Sequence, residues 1–240
     1  MKQVYQSFNK NTLGVYDVPS PSIKPGMLII KNMASVISMG TESMVTDFGN
    51  KNIIQKAKAR PDLVKQVIDK VRTDGVMQTM HTARASLDNP IALGYSCAGI
   101  VEAVDKSIQN FNVGMPVACA GAGYAVHAEQ ILVPRNLVAT IPHNVEMEHA
   151  AFTTIGSIAM QGYRLSNIQI GDKVAVLGLG LIGLLMVQII KSAGCDVIAY
   201  DPKSNQCDLA HDLGADLVSD DKDIFIKKCI GVSDGIGLDN

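Results

Sequence analysis

The chain of 240 residues contains no tryptophan, and aromatic residues make up only 5% of it. Its five cysteines stand singly, without a C-x-x-C pair, which argues against a disulfide framework or a zinc knuckle. Neither charge is in large excess, because the formal net charge is −2, so no basic field would attract nucleic acid or an anionic membrane. We therefore expect neither nucleic acid nor a membrane as a partner.

The start of the chain lacks the apolar core of a secretory signal, which predicts a cytoplasmic location. Residues 174–190 form an uncharged run of 17 residues, just long enough for a short membrane span. Three glycines within this run and the strand pattern at its start argue against a span. Hydrophobic residues make up 47% of the chain and charged residues 18%, as in a globular protein with material for two domains.

A strand-turn-helix pattern around three glycines is the most informative feature that the sequence does contain. The pattern predicts a short buried strand from Lys173 to Leu177, a G-x-G-x-x-G loop, and an apolar helix from Leu181 to Ala193. In such a unit the pyrophosphate of a dinucleotide binds at the free N–H groups of the helix N-terminus. The predicted cofactor-binding residues of the loop are Gly178, Leu179, Gly180, Leu181, Ile182 and Gly183.

Asp201 ends a second predicted strand, from Asp196 to Tyr200, and follows Gly180 by 21 residues. The carboxylate that binds the ribose hydroxyls of such cofactors has a similar spacing, about 20 residues. A carboxylate repels a 2′-phosphate, so the sequence predicts NAD rather than NADP as the cofactor. A methyl-donor-binding protein with the same loop and acid is the alternative that these residues leave open.

Residues 1–48 and 90–142 contain short strand patterns separated by proline and glycine, which predicts an antiparallel β domain in the form of a small barrel. A helix from Glu146 to Leu165 would join it to the nucleotide-binding domain. We therefore predict a β domain over residues 1–144 and an α/β domain over residues 145–240. The predicted strands of the β domain are Met27–Ser38, Gly99–Val104, Pro116–Ala120, Ala125–Val133 and Leu137–Ile141, and a third α/β strand is predicted near Asp216–Val218.

Short motifs follow one another along the chain: Gly40-Thr41-Glu42, Gly94–Val101, Phe111–Val117, Gly171–Val174, the glycine loop and Leu213–Asp216. In this order they resemble the medium-chain dehydrogenase/reductase superfamily of alcohol-dehydrogenase-like enzymes, and most of all the dehydrogenase half of bi-domain oxidoreductases. The resemblance implies a GroES-like antiparallel barrel followed by a Rossmann fold, which is a doubly wound parallel sheet. We also expect the full-length protein to be a homo-oligomer.

The catalytic zinc of this superfamily is normally bound by a Cys, a His and a later Cys or acid, and all three are missing here. The matching positions carry Met39, Tyr95 and Thr154, none of which is a usual ligand of a tetrahedral zinc site. We therefore predict an enzyme without a metal. The histidines are interpreted as structural, with His127 in a barrel strand, and a zinc site built from them is the alternative; the others are His81, His143, His149 and His211.

Without zinc, hydrogen-bond donors or an acid must stabilise the charge that develops on the substrate oxygen during hydride transfer. The resemblance places Thr41 next to this oxygen, and it places Tyr95 at a former ligand position, where its phenol would point into the cleft. Thr41 and Tyr95 are therefore the predicted catalytic residues. The alternatives are a turn-stabilising hydroxyl for Thr41 and, for Tyr95, simple filling of the space left by zinc.

The interval between the Thr41 and Tyr95 motifs is longer than usual in the superfamily. Residues 51–84 carry eight Lys or Arg against three Asp, which predicts a basic helical insertion at about residues 50–88. A solvated outer face is one interpretation of this segment. The other is a lid in which Lys58, Arg60 or Arg84 meets an anionic group of a small-molecule substrate, such as the phosphates of a nucleotide sugar.

Only 67 residues follow Lys173, enough for about half of a Rossmann domain. We expect a fragment of a longer enzyme, in which a fourth strand would begin at Asn240 and the edge of the first Rossmann strand is open. The sequence thus predicts a zinc-independent NAD(H)-dependent oxidoreductase that acts on an alcohol, carbonyl or activated alkene and is inactive as this chain alone. A non-catalytic dinucleotide-binding or sensor module is the alternative.

Overall fold

A computed structural model describes residues 1–7, 12–38, 40, 90–233 and 235–240. These residues form two compact units, Met1–Thr153 and Thr154–Asn240. The predicted catalytic residue Thr41, the former ligand position Met39 and the predicted insertion at about 50–88 lie outside the described residues.

The first unit is built from short antiparallel strands. They are β1 (Lys2–Ser7), β2 (Thr12–Asp17), β3 (Met27–Ser35), β4 (Ile91–Ala92), β5 (Ser96–Val104), β6 (Pro116–Ala120), β7 (Gln130–Pro134) and β8 (Val138–Thr140). A three-stranded sheet has the order β2-β1-β4, and a five-stranded sheet has the order β7-β3-β5-β6-β8. A short helix, α1 (Met147–Ala150), packs against β3 and β5.

Apolar side chains of the five-stranded sheet form the core of the first unit. Leu28 and Ile30 of β3 are completely buried, and the first four residues of β5, 96–99, are buried. Gly99 has no room for a side chain, because a Cβ would lie 2.1 Å from the Lys31 carbonyl oxygen. The close approach of β3 and β5 therefore requires glycine at this residue.

The strand predicted at Pro116–Ala120 is confirmed, whereas the one predicted over Ala125–Val133 is wrong in its first half. Turns and bends occupy most of residues 121–129, where Gly121 and Gly123 have φ angles of +115° and +79° and Ala128 forms only an isolated bridge with Gln3. Since β7 begins only at Gln130, His127 precedes the strand and does not lie in it. The sequence patterns also failed to predict β1, β2 and β4.

The second unit is a parallel three-stranded sheet with helical connections. Its elements are α2 (Thr153–Leu165, which begins at the boundary), β9 (Lys173–Leu177), α3 (Leu181–Ser192), β10 (Asp196–Tyr200), α4 (Ser204–Asp212), β11 (Leu217–Ser219) and α5 (Lys222–Val232). The strand order β11-β10-β9 is that of one half of a doubly wound sheet, which confirms the predicted fold class. The single helix predicted over Glu146–Leu165 is divided into α1 and α2.

Residues 239–240 lie along the outer edge of β9. The Asp239 N–H donates to the Lys173 carbonyl oxygen (3.1 Å), and the Ala175 N–H donates to the Asn240 carbonyl oxygen (2.8 Å). The order of these bonds along both segments makes the segment parallel to β9. The expectation of an open edge is therefore wrong at Lys173 and Ala175, because the chain after α5 returns to this side of the sheet.

Among the described residues, no helix is long and apolar enough to cross a membrane. The apolar run at 174–190 is divided between β9, the glycine loop and α3. Val187 and Ile190 of α3 belong to the core of the second unit, which explains why this helix is apolar.

Candidate nucleotide-binding site

The glycine loop joins β9 to the N-terminus of α3, and its three glycines have different constraints. Gly178 has a φ of +91°, in the left-handed region that favours glycine. Gly183 has no room for a side chain, because a Cβ would lie 2.0 Å from the Gly178 carbonyl oxygen. Gly180 has a φ of −71°, and no described atom lies within 4 Å of a Cβ placed on it. The first and third glycines thus build the turn, and the second leaves space open.

The open space at Gly180 lies at the start of α3, for which Gly180 is the N-cap residue. No side chain caps this helix, and the first N–H groups of a helix have no partner within it. These groups belong to residues 181–183 and carry the positive end of the helix dipole. A phosphate that approaches over Gly180 therefore meets hydrogen-bond donors without a side chain in its path.

Asp201 connects the glycine loop to the segment that leads into α4. Its Oδ2 accepts a hydrogen bond from the Leu179 N–H (2.8 Å), and its Oδ1 accepts one from the Lys203 N–H (3.0 Å). The Asp201 carbonyl oxygen accepts a further hydrogen bond from Cys207 Sγ (3.3 Å). Because a carboxylate oxygen has two lone pairs, each oxygen keeps acceptor capacity for a ligand.

The residues present fit a dinucleotide, with its pyrophosphate near Gly180 and a ribose near Asp201. The structure brings all seven predicted cofactor-binding residues together at the carboxyl ends of β9 and β10, which is where α/β sheets bind ligands. Leu179 is completely buried, and its backbone N–H contributes to the site by holding Asp201. The loop thus offers an open approach, free N–H donors and one carboxylate acceptor.

Tyr95 lies in the first unit, between β4 and β5, and is half-buried. Its carbonyl oxygen accepts a hydrogen bond from the Gly121 N–H (2.9 Å). Gly94, on one side of it, has a φ of +97°, and Ser96, on the other, donates its buried Oγ to the Ala151 carbonyl oxygen (2.5 Å). The backbone on both sides of Tyr95 is therefore fixed by the fold.

His127 contacts the segment before Tyr95, and the sequence patterns gave no sign of this contact. Its N–H donates to the Leu93 carbonyl oxygen (2.8 Å). A Cβ placed on Gly94 would lie 3.1 Å from two carbons of the His127 ring. A hydrogen bond of 2.8 Å joins His127 Nδ1 to Ser35 Oγ, although the two residues are 92 apart in the sequence. Local periodicity carries no information about a partner at that separation.

Among the residues that the structure describes, no group of three or more His, Cys, Asp or Glu side chains could hold a metal ion. Of the three positions predicted to match the zinc ligands of the superfamily, Tyr95 lies in the first unit and Thr154 in the second, and neither side chain offers nitrogen or sulfur. Zinc independence stays a prediction, since Met39 lies outside the described residues. Of the other histidines, His81 also lies outside them, and His143, His149 and His211 are exposed.

Cys97 and Cys119 lie opposite each other on β5 and β6 and are buried in the core of the first unit. The hydrogen bond between the two thiols, together with burial, raises the pKa of Cys97. The nucleophilic form of cysteine is the thiolate, so Cys97 is a poor nucleophile. This pair is therefore a core contact and not a candidate for covalent catalysis.

Comparison with known proteins identifies a dehydrogenase-type domain in the first half of the chain. The alcohol dehydrogenase GroES-like domain family matches residues 65–143. An alcohol dehydrogenase from Geobacillus stearothermophilus is 29% identical over an alignment of 209 positions, which covers 73% of this chain and 61% of the relative. D-guloside 3-dehydrogenase from Escherichia coli strain K12 is 31% identical over 128 residues, 52% of this chain and 35% of the relative. The chain thus spans less than two thirds of either relative.

The fold is also that of solved oxidoreductase structures. One of them is the Escherichia coli quinone oxidoreductase, which was solved in complex with NADPH. The similarity covers 98% of this chain and 63% of the oxidoreductase chain, with a TM-score of 0.71 and 15% identity. At this identity the similarity shows the fold alone, and it agrees with the domain match and the dehydrogenase relatives. The domain match and the dehydrogenase relatives support the medium-chain dehydrogenase/reductase superfamily that the sequence motifs resemble.

Proposed function

We propose that the protein is a zinc-independent, NAD(H)-dependent oxidoreductase that transfers a hydride to or from an alcohol, carbonyl or activated alkene. The observation that carries the proposal is the geometry of the glycine loop and Asp201 in a chain with dehydrogenase relatives. A nicotinamide cofactor supplies or accepts the hydride when it is bound. The protein's own residues would bind the cofactor, orient the substrate and donate the proton.

In the second unit, the N–H groups of residues 181–183 would hold the pyrophosphate, and Asp201 would accept hydrogen bonds from the ribose hydroxyls. The N–H groups of Leu179 and Lys203 already hold both oxygens of Asp201. The carboxylate therefore needs little reorganisation to bind a ribose, which lowers the cost of association. The same negative charge disfavours the 2′-phosphate of NADP.

In the first unit, Tyr95 would donate a proton or a hydrogen bond to the substrate oxygen, and Thr41 would orient that oxygen. A donor with a fixed backbone stabilises developing negative charge without a Lewis acid. The fixed backbone around Tyr95 supports this role. We propose a small substrate with an anionic or sugar-linked group, which Lys58, Arg60 or Arg84 would meet. The name of the guloside dehydrogenase relative supports the sugar-linked alternative.

Fluorescence titration of the 240-residue chain with NADH and with NADPH tests the cofactor assignment. We expect tighter binding of NADH, and we expect Asp201→Asn to weaken NADH binding about 10-fold, because hydrogen bonds to a charged acceptor are lost. The same variant should reduce the difference in affinity between NADH and NADPH. Asp208→Asn, at an exposed acid of α4, is the matched control and should bind NADH like the wild type. Equal affinities of the wild type for both cofactors, or a preference for S-adenosylmethionine, would contradict the assignment.

We expect the 240 residues alone to transfer no hydride. The second unit has a parallel sheet of three full strands among its described residues, and the nicotinamide of a doubly wound sheet lies across the switch point to its second half. Turnover of NADH by this chain with an aldehyde, a ketone or an activated alkene would contradict this expectation.

A non-catalytic dinucleotide sensor is the second candidate, and the replacement of zinc ligands by Tyr95 and Thr154 is the observation that favours it. NADH binding without turnover of any alcohol, carbonyl or alkene probe, in the whole protein that contains this chain, would support the sensor. We also propose a cytoplasmic homo-oligomer, which cell fractionation and light scattering of that protein would check.

A further inference from the structure

Two cysteines face each other across neighbouring strands in the core of the first unit. Cys97 of β5 is in register with Cys119 of β6, and a hydrogen bond joins the two thiols. Both residues are buried, with exposed fractions of 0% and 2%. The two sulfur atoms are thus already neighbours, and a bond between them requires no change in the pairing of the strands.

The backbone at this pair has the spacing that a disulfide needs. The Gly121 N–H donates to the Tyr95 carbonyl oxygen (2.9 Å), and the Val101 N–H donates to the Met115 carbonyl oxygen (3.0 Å). Such bonds recur at every second residue of an antiparallel pair, so Cys97 also occupies a hydrogen-bonded position. The Cα atoms of a hydrogen-bonded pair are about 5.5 Å apart. Disulfides most often span about 5.5 to 6 Å between Cα atoms, so the strands hold the two cysteines at a suitable separation.

Opening at the edge of the sheet gives access to this buried pair. In the five-stranded sheet β6 lies between β5 and β8, and β8 is the edge strand of that sheet. With three residues, β8 is short, and such elements open at a lower free energy than central strands. Cys119 pairs with Val138 of β8, whereas Cys97 lies on a strand further from this edge. Local opening therefore exposes Cys119 first.

We propose that Cys97 and Cys119 are an oxidation site, at which a peroxide converts the two thiols into a cross-strand disulfide. The Cys119 thiolate attacks one oxygen of hydrogen peroxide, the O–O bond breaks, and the hydroxide that leaves takes up the thiol proton to become water. The Cys97 sulfur then attacks the sulfur of the resulting sulfenic acid. The S–S bond forms, and the hydroxyl group leaves with the second thiol proton as water. The two sulfur atoms together lose two electrons, which the peroxide gains.

The disulfide would link the two strands that hold the Tyr95 segment. Cys97 follows Tyr95 by two residues, and Cys119 precedes Gly121, whose N–H bonds the Tyr95 carbonyl oxygen, by two residues. Where disulfides occur in cytosolic proteins, they are usually transient and either catalytic or redox-sensing. An effect of oxidation on turnover rests on the proposed function of Tyr95, whereas formation of the disulfide does not.

Peptide mapping of the 240-residue chain after treatment with hydrogen peroxide tests the proposal. The remaining thiols are blocked with N-ethylmaleimide before digestion with trypsin. Cleavage after Lys106 places Cys97 in the peptide 85–106 and Cys119 in the peptide 107–135, and each of the other three cysteines lies in a peptide of its own. We expect these two peptides to be linked, with a mass lower by two hydrogen atoms than their sum, and to separate after reduction with dithiothreitol.

The unfolded chain is the control for pairing by chance. In concentrated urea, the entropy of loop closure favours cysteines that are close in the sequence. Cys195 and Cys207 are 12 residues apart, and Cys97 and Cys119 are 22 apart, so the first pair should form more disulfide in the unfolded chain. We expect folding to raise the ratio of the 97–119 link to the 195–207 link by at least about 10-fold, because the fold orients only the first of these pairs in register.

Two alanine variants identify the reacting thiols. Cys119→Ala should abolish the link between the peptides 85–106 and 107–135, whereas Cys195→Ala, at a buried cysteine of the second unit, should form it to the same extent as the wild type. If the folded wild-type chain does not form this link, or if its ratio to the 195–207 link is the same as in urea, the proposal is wrong, even where Cys119→Ala fails to fold. NADH titration of an untreated sample tests the proposed function separately, because its failure leaves the peptide map unchanged.

Discussion

The glycine loop and the Tyr95 segment are built in opposite ways. The close contact and the hydrogen bonds described for the loop come from one β-α-β unit, between Val176 and Lys203. The contacts that shape the Tyr95 segment come from distant places in the chain, namely Gly121, His127 and Ala151. His127 is itself bonded to Ser35, which lies further away still. The first is thus a local structure, whereas the second depends on the pairing of the whole first unit.

This difference determines how each region responds to substitution. A local turn fails when one of its own residues is changed, and it is insensitive to changes elsewhere. A segment held by distant partners loses its conformation when any one of them is changed, although none of these partners is its neighbour in the sequence. Matched glycine substitutions in the two regions test this contrast most directly.

Gly183→Ala has the largest expected effect, because it breaks the loop at its closest contact. The new Cβ would lie 2.0 Å from the Gly178 carbonyl oxygen, so α3 must move away from the turn. We expect the free energy of unfolding to fall by about 3 kcal/mol, and NADH binding to be lost. Urea unfolding and NADH titration measure the two effects.

Gly180→Ala is the control within the same loop, since no described atom lies within 4 Å of its Cβ. Its cost in stability should be about 1 kcal/mol or less, because alanine is only a poorer N-cap residue than glycine. NADH binding should still weaken, because the methyl group stands where the pyrophosphate approaches. Equal losses of stability in the two variants would refute the local description of the loop.

Gly94→Ala has a smaller expected effect, and it tests the Tyr95 segment. Gly94 and Gly123 both have a left-handed φ, +97° and +79°, so alanine at either costs about 1 kcal/mol in strain. Only at Gly94 does the Cβ also approach His127, to 2.8 Å from its nitrogen. We expect Gly94→Ala to lose about 1 kcal/mol more than Gly123→Ala in urea unfolding. A difference of zero would show that the His127 contact does not restrain this segment.

The contrast also explains which parts of the protein the sequence could predict. The β9 strand, the loop and β10 are each encoded by contiguous residues, and all three were predicted at their observed places. The strand β2 was not predicted, because Leu13 and Val15 are 59% and 65% exposed and so give no pattern of a buried face. His127 was placed in a strand for a related reason, since the partner that defines its role is Ser35, 92 residues away.

Two carboxylates, one in each unit, provide the smallest expected effects. Hydrogen bonds from the Ser107 hydroxyl and from the Gly26 N–H lower the pKa of Asp105 in the first unit. In the second unit partial burial raises the pKa of Asp216, but the Lys191 ammonium at 2.8 Å and the Val197 N–H lower it, and the net change is downward. Each carboxylate thus accepts hydrogen bonds from two segments of the chain, and its ionised form accepts them best.

A carboxyl group whose pKa is lower in the folded state stabilises the fold fully above its unfolded pKa, near 4, and loses this contribution as the pH falls through the folded pKa. We therefore expect Asp216→Asn to lower the free energy of unfolding near pH 7 by at most about 1 kcal/mol, since both partners of the ion pair are partly exposed. The loss should shrink toward about pH 3, where the wild-type carboxylate is itself increasingly protonated. Asp105→Asn, in the first unit, should also lower the free energy of unfolding near pH 7, and this loss should likewise shrink at low pH. Urea unfolding at both pH values checks this. If Asp216→Asn lowers the free energy of unfolding as much at low pH as at neutral pH, the contribution of Asp216 does not depend on the charge of its carboxylate.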